Sequence, residues 1–78
     1  MNAPQNISAI LRFHRKRAGL SQQELARLAG VGKTAVFDLE KGKETVQLDT
    51  LRKIFLALNI TMRFESPLMQ EYDLQVDG

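Results

Sequence analysis

Leu20-Ser-Gln-Gln-Glu-Leu-Ala-Arg-Leu-Ala-Gly-Val-Gly-Lys-Thr-Ala-Val-Phe-Asp-Leu-Glu-Lys-Gly42 holds two helix starts and two helix stops within 23 residues. Ser21-Gln22-Gln23-Glu24 is a capping box, in which a serine hydroxyl and a glutamate satisfy each other's orphan backbone amides at a helix start. Leu25, Ala26, Leu28 and Ala29 then supply an apolar stripe, and Gly30 stops the helix early. A second helix begins near Gly32-Lys33 and runs to about Lys41, with Val36 and Leu39 on its inner face and Gly42 at its end. Two short helices joined by a tight, glycine-containing turn can cross at roughly 90–120° and leave the second one exposed. The crossing needs a small side chain at the contact, which Ala26 provides. The turn needs a residue tolerant of positive φ, which Gly30 provides. Leu25 and Val31 fill the space between, while Val36 and Leu39 grip the core one turn apart.

Working outward, a helix is expected upstream from about Ile7 to Ala18. Asn6 or Ser8 caps it, and Ile7, Ile10, Leu11, His14 and Ala18 fall on one face at helical spacing. Gly19 ends it. Downstream, a polar loop over 42–47 leads into a helix from about Leu48 or Asp49 to Leu58, with Leu51, Ile54, Phe55 and Leu58 as its buried stripe. After Asn59 the period changes. Ile60, Met62 and Phe64 alternate with Thr61, Arg63 and Glu65, the mark of a half-buried strand, and Pro67 ends it. The competing reading of this segment is a fifth short helix. Residues 66–78 show no strong periodicity, although Leu68, Met69, Tyr72, Leu74 and Val76 are apolar. The division expected is therefore a flexible start over 1–5, a compact domain over 6–65 and an acidic, flexible tail over 66–78.

Composition narrows the function classes. Seventy-eight residues with 44% hydrophobic and 26% charged side chains make one small globular domain. Cysteine is absent, so there is no thiol nucleophile and no disulfide framework. One histidine, His14, cannot build a histidine metal cluster, and no cofactor is implied. The longest apolar run, Ile54 to Leu58, is far short of the roughly 20 residues of a membrane span. No signal-peptide core is seen, and a cytoplasmic location is expected. The net charge of +2 hides an asymmetry. Residues 1–63 hold all eleven basic side chains against five acidic ones, a net +6, whereas 64–78 carry four acids and no base, a net −4. A basic body points to an anionic partner, with plain solubility as the alternative. Gly30-Val-Gly-Lys-Thr34 imitates the end of a phosphate-binding loop. That loop needs an earlier glycine where Arg27 stands, and a strand in front of it. No catalytic acid–base pair is legible, so an enzyme is not expected.

The motif over 20–42 resembles the helix-turn-helix of the Cro and phage-repressor family, also called the Xre family. Arg15-Lys-Arg-Ala-Gly-Leu-Ser-Gln22 and the later Leu48-Asp-Thr-Leu51 extend the likeness to roughly residues 7–60. Glu40-Lys-Gly-Lys-Glu-Thr-Val-Gln-Leu-Asp-Thr-Leu51 and the closing strand resemble the HipB-like antitoxin branch. The resemblance implies a mainly α, four-to-five-helix, lambda-repressor-like DNA-binding domain whose C-terminal strand pairs across a dimer. The family usually has Leu where this chain has His14. The imidazole is read as half-buried and bonded to backbone, with a pH sensor as the alternative.

In such a fold the start of the second motif helix enters the major groove. Its outward positions are Lys33, Thr34, Ala35, Phe37, Asp38 and Lys41. Lys33 can reach a guanine edge or a phosphate, and Ala35 and Phe37 can meet thymine methyls. Asp38 either accepts from a cytosine amino group or orients Lys41, the second being preferred in an anionic groove. Gln22 matches the family glutamine that bonds a phosphate. Lys41 and Lys43 read as phosphate clamps or as a solvated loop. Arg12, Lys16 and Arg17 add general attraction or form a wet face. The family often pairs an arginine late in the first helix with a glutamate late in the third, and Arg15 and Glu40 are the matching positions.

One such unit reads few base pairs, so specific binding needs two copies on half-sites about one turn apart. A lone strand leaves its ladder unpaired. Ile60, Met62 and Phe64 are therefore expected to pair with the same strand of a second copy across a two-fold axis. The function expected is a homodimeric repressor of a double-stranded DNA operator. The narrower resemblance adds a HipA-like kinase toxin as partner. The rival is a helical protein-interaction module without DNA contact.

Overall fold

The computed structural model describes residues 6–76, which form five helices: α1 (Ile7–Arg17), α2 (Gln22–Ala29), α3 (Lys33–Glu40), α4 (Leu48–Ala57) and α5 (Met69–Val76). The expected flexible start, residues 1–5, lies outside the described residues, as do residues 77 and 78 of the tail. Local chemistry explains where the first two helices begin. The Asn6 Oδ1 accepts from the Ser8 amide at 2.9 Å and the Ala9 amide at 3.3 Å. At α2 both halves of the capping box are formed, with the Glu24 amide donating to Ser21 Oγ at 3.0 Å and the Ser21 amide donating to Glu24 Oε1 at 2.8 Å.

The first four helices end alike. After α2 the Val31 amide donates to the Ala26 carbonyl at 2.9 Å and the Gly30 amide to the Arg27 carbonyl at 3.2 Å. This is the Schellman pattern, which satisfies the last carbonyls of a helix when the residue after it turns left-handed. Gly30 has φ +74° and fills that place without a side-chain penalty. The same pair of bonds closes α1 at Gly19, α3 at Gly42 and α4 at Asn59, which takes φ +59°.

The core is one cluster: Leu11 from α1, Leu25 and Ala26 from α2, Val36 and Leu39 from α3, and Leu51, Ile54 and Phe55 from α4. α2 packs against both α3 and α4, and α1 backs α3. Ala26 is buried against its neighbours, as the crossing requires. Some expected core positions are wet. Leu28 and Ile7 are exposed and Ala18 lies outside the core, because a helix of about two or three turns offers only a narrow stripe to a small core.

Two differences concern the C-terminal part. Residues 60–66 form no strand within the described chain and have no regular backbone pairing. The expected alternation survives in part: Ile60 and Met62 are half-buried against the core, while Phe64 is exposed. The tail, where the sequence shows no strong periodicity, carries α5. Met69, Tyr72 and Val76 recur at helical spacing, but over only two turns and with Leu74 on the opposite side, too short a pattern to announce a helix.

Candidate nucleic-acid interface

Lys33, Thr34, Phe37 and Lys41 are exposed on one side of α3, opposite the buried Val36, Leu39 and Glu40. Ala35 and Asp38 flank this row and are half-buried. At 1.5 Å per residue the helix is about 12 Å long, enough to lie along a few base pairs. The Lys41 ammonium sits 5.0 Å from the centroid of the Phe37 ring, a cation–π contact that holds both side chains. The Asp38 carboxylate pairs with Lys43 at 3.5 Å, not with Lys41 as the sequence reading preferred. The chain reversal at Gly42 explains the choice. The Lys43 amide donates to the Asp38 carbonyl at 3.0 Å, which brings Lys43 back over the last turn of α3. Both side chains are substantially exposed, so the pair stabilises little and is free to open.

Behind α3 lies a polar junction that fixes its angle. The Arg15 guanidinium grips the Glu40 carboxylate with two bonds, Nε to Oε2 at 2.5 Å and Nη2 to Oε1 at 2.9 Å, and its Nη1 donates to the Leu20 carbonyl at 2.9 Å. Arg12 donates to the Glu40 carbonyl at 2.9 Å, satisfying the C-terminal end of α3. One acid at the end of α3 therefore ties together α1, the α1–α2 turn and α3. Glu40 is buried, with 5% of its surface exposed. Burial alone would raise its carboxyl. Bonds from Arg15 and Gln22 and the nearby charges of Arg15 and Arg12 outweigh this and hold it below the usual carboxylate range. The same bond, against the smaller cost of burial, pushes the Arg15 guanidinium higher still.

The structure thus brings together Arg15 and Glu40 as the sequence suggested, and adds two contacts it did not. Gln22, expected on a phosphate, here donates through Nε2 to Glu40 Oε1 at 3.2 Å. That bond uses one of the two hydrogens on its amide nitrogen. Arg12, whose sequence position allows general attraction or a wet face, supports α3. The only sequence signal was that Arg12 and Arg15 stand three apart, hence on one side of α1. His14 is half-buried, with Nδ1 donating to the Ile10 carbonyl at 2.7 Å. Arg17 stacks 5.1 Å from the centroid of Phe13 on the exposed side of α1. Among the described residues no helix is long and apolar enough to cross a membrane.

An exposed, cation-bearing second helix, set on a core by a short glycine turn, defines a class of protein. The sequence model of the helix-turn-helix family matches residues 11–64. The chain belongs to this family, among the HTH-type transcriptional regulators. It is similar to an uncharacterized HTH-type transcriptional regulator, y4mF, of Sinorhizobium fredii, with 36% identity over 67 residues, 86% of this chain and 88% of that protein. It is also similar to an uncharacterized HTH-type transcriptional regulator of Methanothermobacter thermautotrophicus, with 41% identity over 52 residues, 67% of this chain and 75% of that one. Among solved structures, a chain of a HipA–HipB–O2–O3 complex shares the fold with a TM-score of 0.72 at 22% identity, over 86% of this chain and 94% of that chain. A chain of a HipB–O1–O2 complex does so with a TM-score of 0.71 at 23% identity, over 85% and 96%.

Proposed function

We propose that this regulator is a repressor that binds a palindromic operator as a homodimer in the cytoplasm, and that it is the antitoxin and autorepressor of a HipA-like kinase toxin. The observation that carries the DNA reading is the exposed row Lys33, Thr34, Phe37 and Lys41 on a helix pinned from behind by Glu40. Lys33 and Thr34, at the start of α3, meet base edges, with Ala35 and Phe37 beside thymine methyls. Lys41 and Lys43 meet phosphates, and Asp38 releases Lys43 as it does so. Gln22 keeps its bond to Glu40 and offers its second amide hydrogen to a phosphate. The likeness in fold to HipB chains supports the antitoxin reading, as does the resemblance of residues 40–51. The homodimer joins through residues 60–65, paired antiparallel with the same segment of a second copy. Ile60 and Met62 already lie against the core in the single chain.

Binding to the DNA upstream of the protein's own gene, measured by fluorescence anisotropy across a salt series, tests this reading. Several phosphate contacts predict a steep fall in affinity as salt rises. Lys33→Ala relaxes base preference by about 1–3 kcal/mol at one position, whereas Lys43→Ala weakens all sequences alike and lowers the salt slope by about one. A flat salt response with neither variant mattering would replace this reading with the protein-interaction module. An adjacent gene for a HipA-like kinase that co-purifies with the chain is the expected outcome for the antitoxin part.

A further inference from the structure

The outer face of α4 is unusually apolar for a surface helix. Leu48, Arg52 and Leu56 stand four apart in one row, with both leucines exposed, at 56% and 75%. Phe64, 69% exposed, extends the same surface, and an open groove runs between Leu48, Leu56, Ile60, Met62 and Phe64. A second apolar element is equally uncovered. Every α5 residue from Gln70 to Gln75 is exposed, Tyr72 and Leu74 among them, and so is Leu68 just before the helix. An eight-residue helix is far below the roughly 12–15 residues that stand alone in water, so α5 needs a surface to lie on.

Charge and register name that surface. Arg52 sits between the two leucines and makes no ion pair among the described residues. Glu71 and Asp73 lie on α5 with no basic residue on the helix or in the tail beyond it. Antiparallel strands keep a common face only when directly opposite residues share it. A two-fold axis through Met62 is the register that pairs all three of Ile60, Met62 and Phe64 on one inward face, with Phe64 of one copy opposite Ile60 of the other. Each chain then leaves the ladder beside the C-terminal end of the other copy's α4. The exposed α4 row and α5 each span about 12 Å. A six-residue, two-stranded ladder is marginal in water, and stable interfaces bury about 800 Å² per partner. The pairing needs more apolar cover than the strands supply.

We propose that α5 is an exchanged arm, which packs in the homodimer on the second copy's α4 with Leu68 against Leu56, Tyr72 between Leu56 and Leu48, and Glu71 or Asp73 meeting Arg52. This rests on the homodimer reading given above.

The chain has no cysteine, so Leu56→Cys and Leu68→Cys introduce its only thiols, both at exposed sites that the register places level with each other. The double variant, oxidised at low micromolar concentration, is expected to run as a covalent dimer on a non-reducing gel. A mixture of the two single variants is expected to give the mixed disulfide in preference to either symmetric one. Sedimentation of the unmodified chain supplies the second arm. Arg52→Glu is expected to weaken the dimer about tenfold, and Arg52→Glu with Glu71→Arg to recover most of that loss. A disulfide closed within one chain would overturn the proposal. So would a stable dimer in which the thiols do not join and the charge swap changes nothing; α4 would then belong to a different partner protein and the dimer reading would stand. A chain that sediments as a monomer throughout removes both.

Discussion

Glu40 is the residue on which the placement of α3 turns, and its ionisation makes that placement sensitive to acid. Its folded carboxyl lies below its unfolded value of about 4.3. Between those two values the unfolded chain binds the extra proton, so stability rises with pH there. The contribution is complete above the unfolded value and is lost as pH falls through the folded one. Glu24, held low mainly by the Ser21 amide, acts in the same window. The thermal midpoint should therefore drop below about pH 4, and Glu40→Gln should flatten part of that drop. Glu40→Ala strands the Arg15 guanidinium, of which only 12% is exposed, and should cost about 3 kcal/mol by chemical denaturation at pH 7. A 78-residue domain has only about 4–12 kcal/mol to lose. Arg15→Lys keeps the charge but not the two-pronged grip, and should recover little. The Arg15–Glu40 pair was legible from its place in the motif. Gln22 was not, because an amide at the first turn of a helix reads the same whether it faces water, a phosphate or a buried carboxylate.

At the scale of elements, the fold is set by how helices stop. The left-handed residues Gly19, Gly30, Gly42 and Asn59 each close a helix with the same two backbone bonds. A Cβ at Gly30 would meet nothing within 4 Å, so Gly30→Ala creates no clash and should cost only the backbone term, about 1–2 kcal/mol. Asn59 is the one non-glycine in this set, and Asn59→Gly should stabilise the domain by a few tenths of a kcal/mol. Urea midpoints with unchanged slopes would check both. These stops, together with the Ser21–Glu24 box, are why α1 to α4 could be read from sequence within a residue or two. The C-terminal part could not be read so well. Alternation at Ile60 and Met62 marked two half-buried positions, but the described residues form no strand there, and a strand is completed only by a neighbour. In α5, Met69, Tyr72 and Val76 stand at helical spacing, but two turns with Leu74 opposite are too short a stripe to tell from a loop.

Taken as a whole molecule, one chain of the proposed DNA reader presents a single α3 about 12 Å long, roughly four base pairs at 3.4 Å per step. Specific recognition in a genome demands more than four base pairs, so the proposed dimer is a condition of the proposed function. The way the two copies are joined dictates how the operator is spaced. The proposed ladder centred on Met62, reinforced by exchanged arms, would hold the two α3 helices at one fixed separation, about 34 Å for half-sites one DNA turn apart. Inserting about five base pairs between the half-sites turns the second one to the far side of the duplex. Affinity should then fall to that of a single half-site. Inserting a full turn of about ten base pairs restores the facing but doubles the distance. A dimer joined by a flexible tether would regain binding there, whereas this one should not, because neither the strands nor α5 can lengthen. Anisotropy titrations of the three spacings at one fixed salt concentration separate the two cases. Recovery at the full-turn insertion would mean that the joint between the copies is loose, and that residues 60–76 do not act as the rigid brace argued for them.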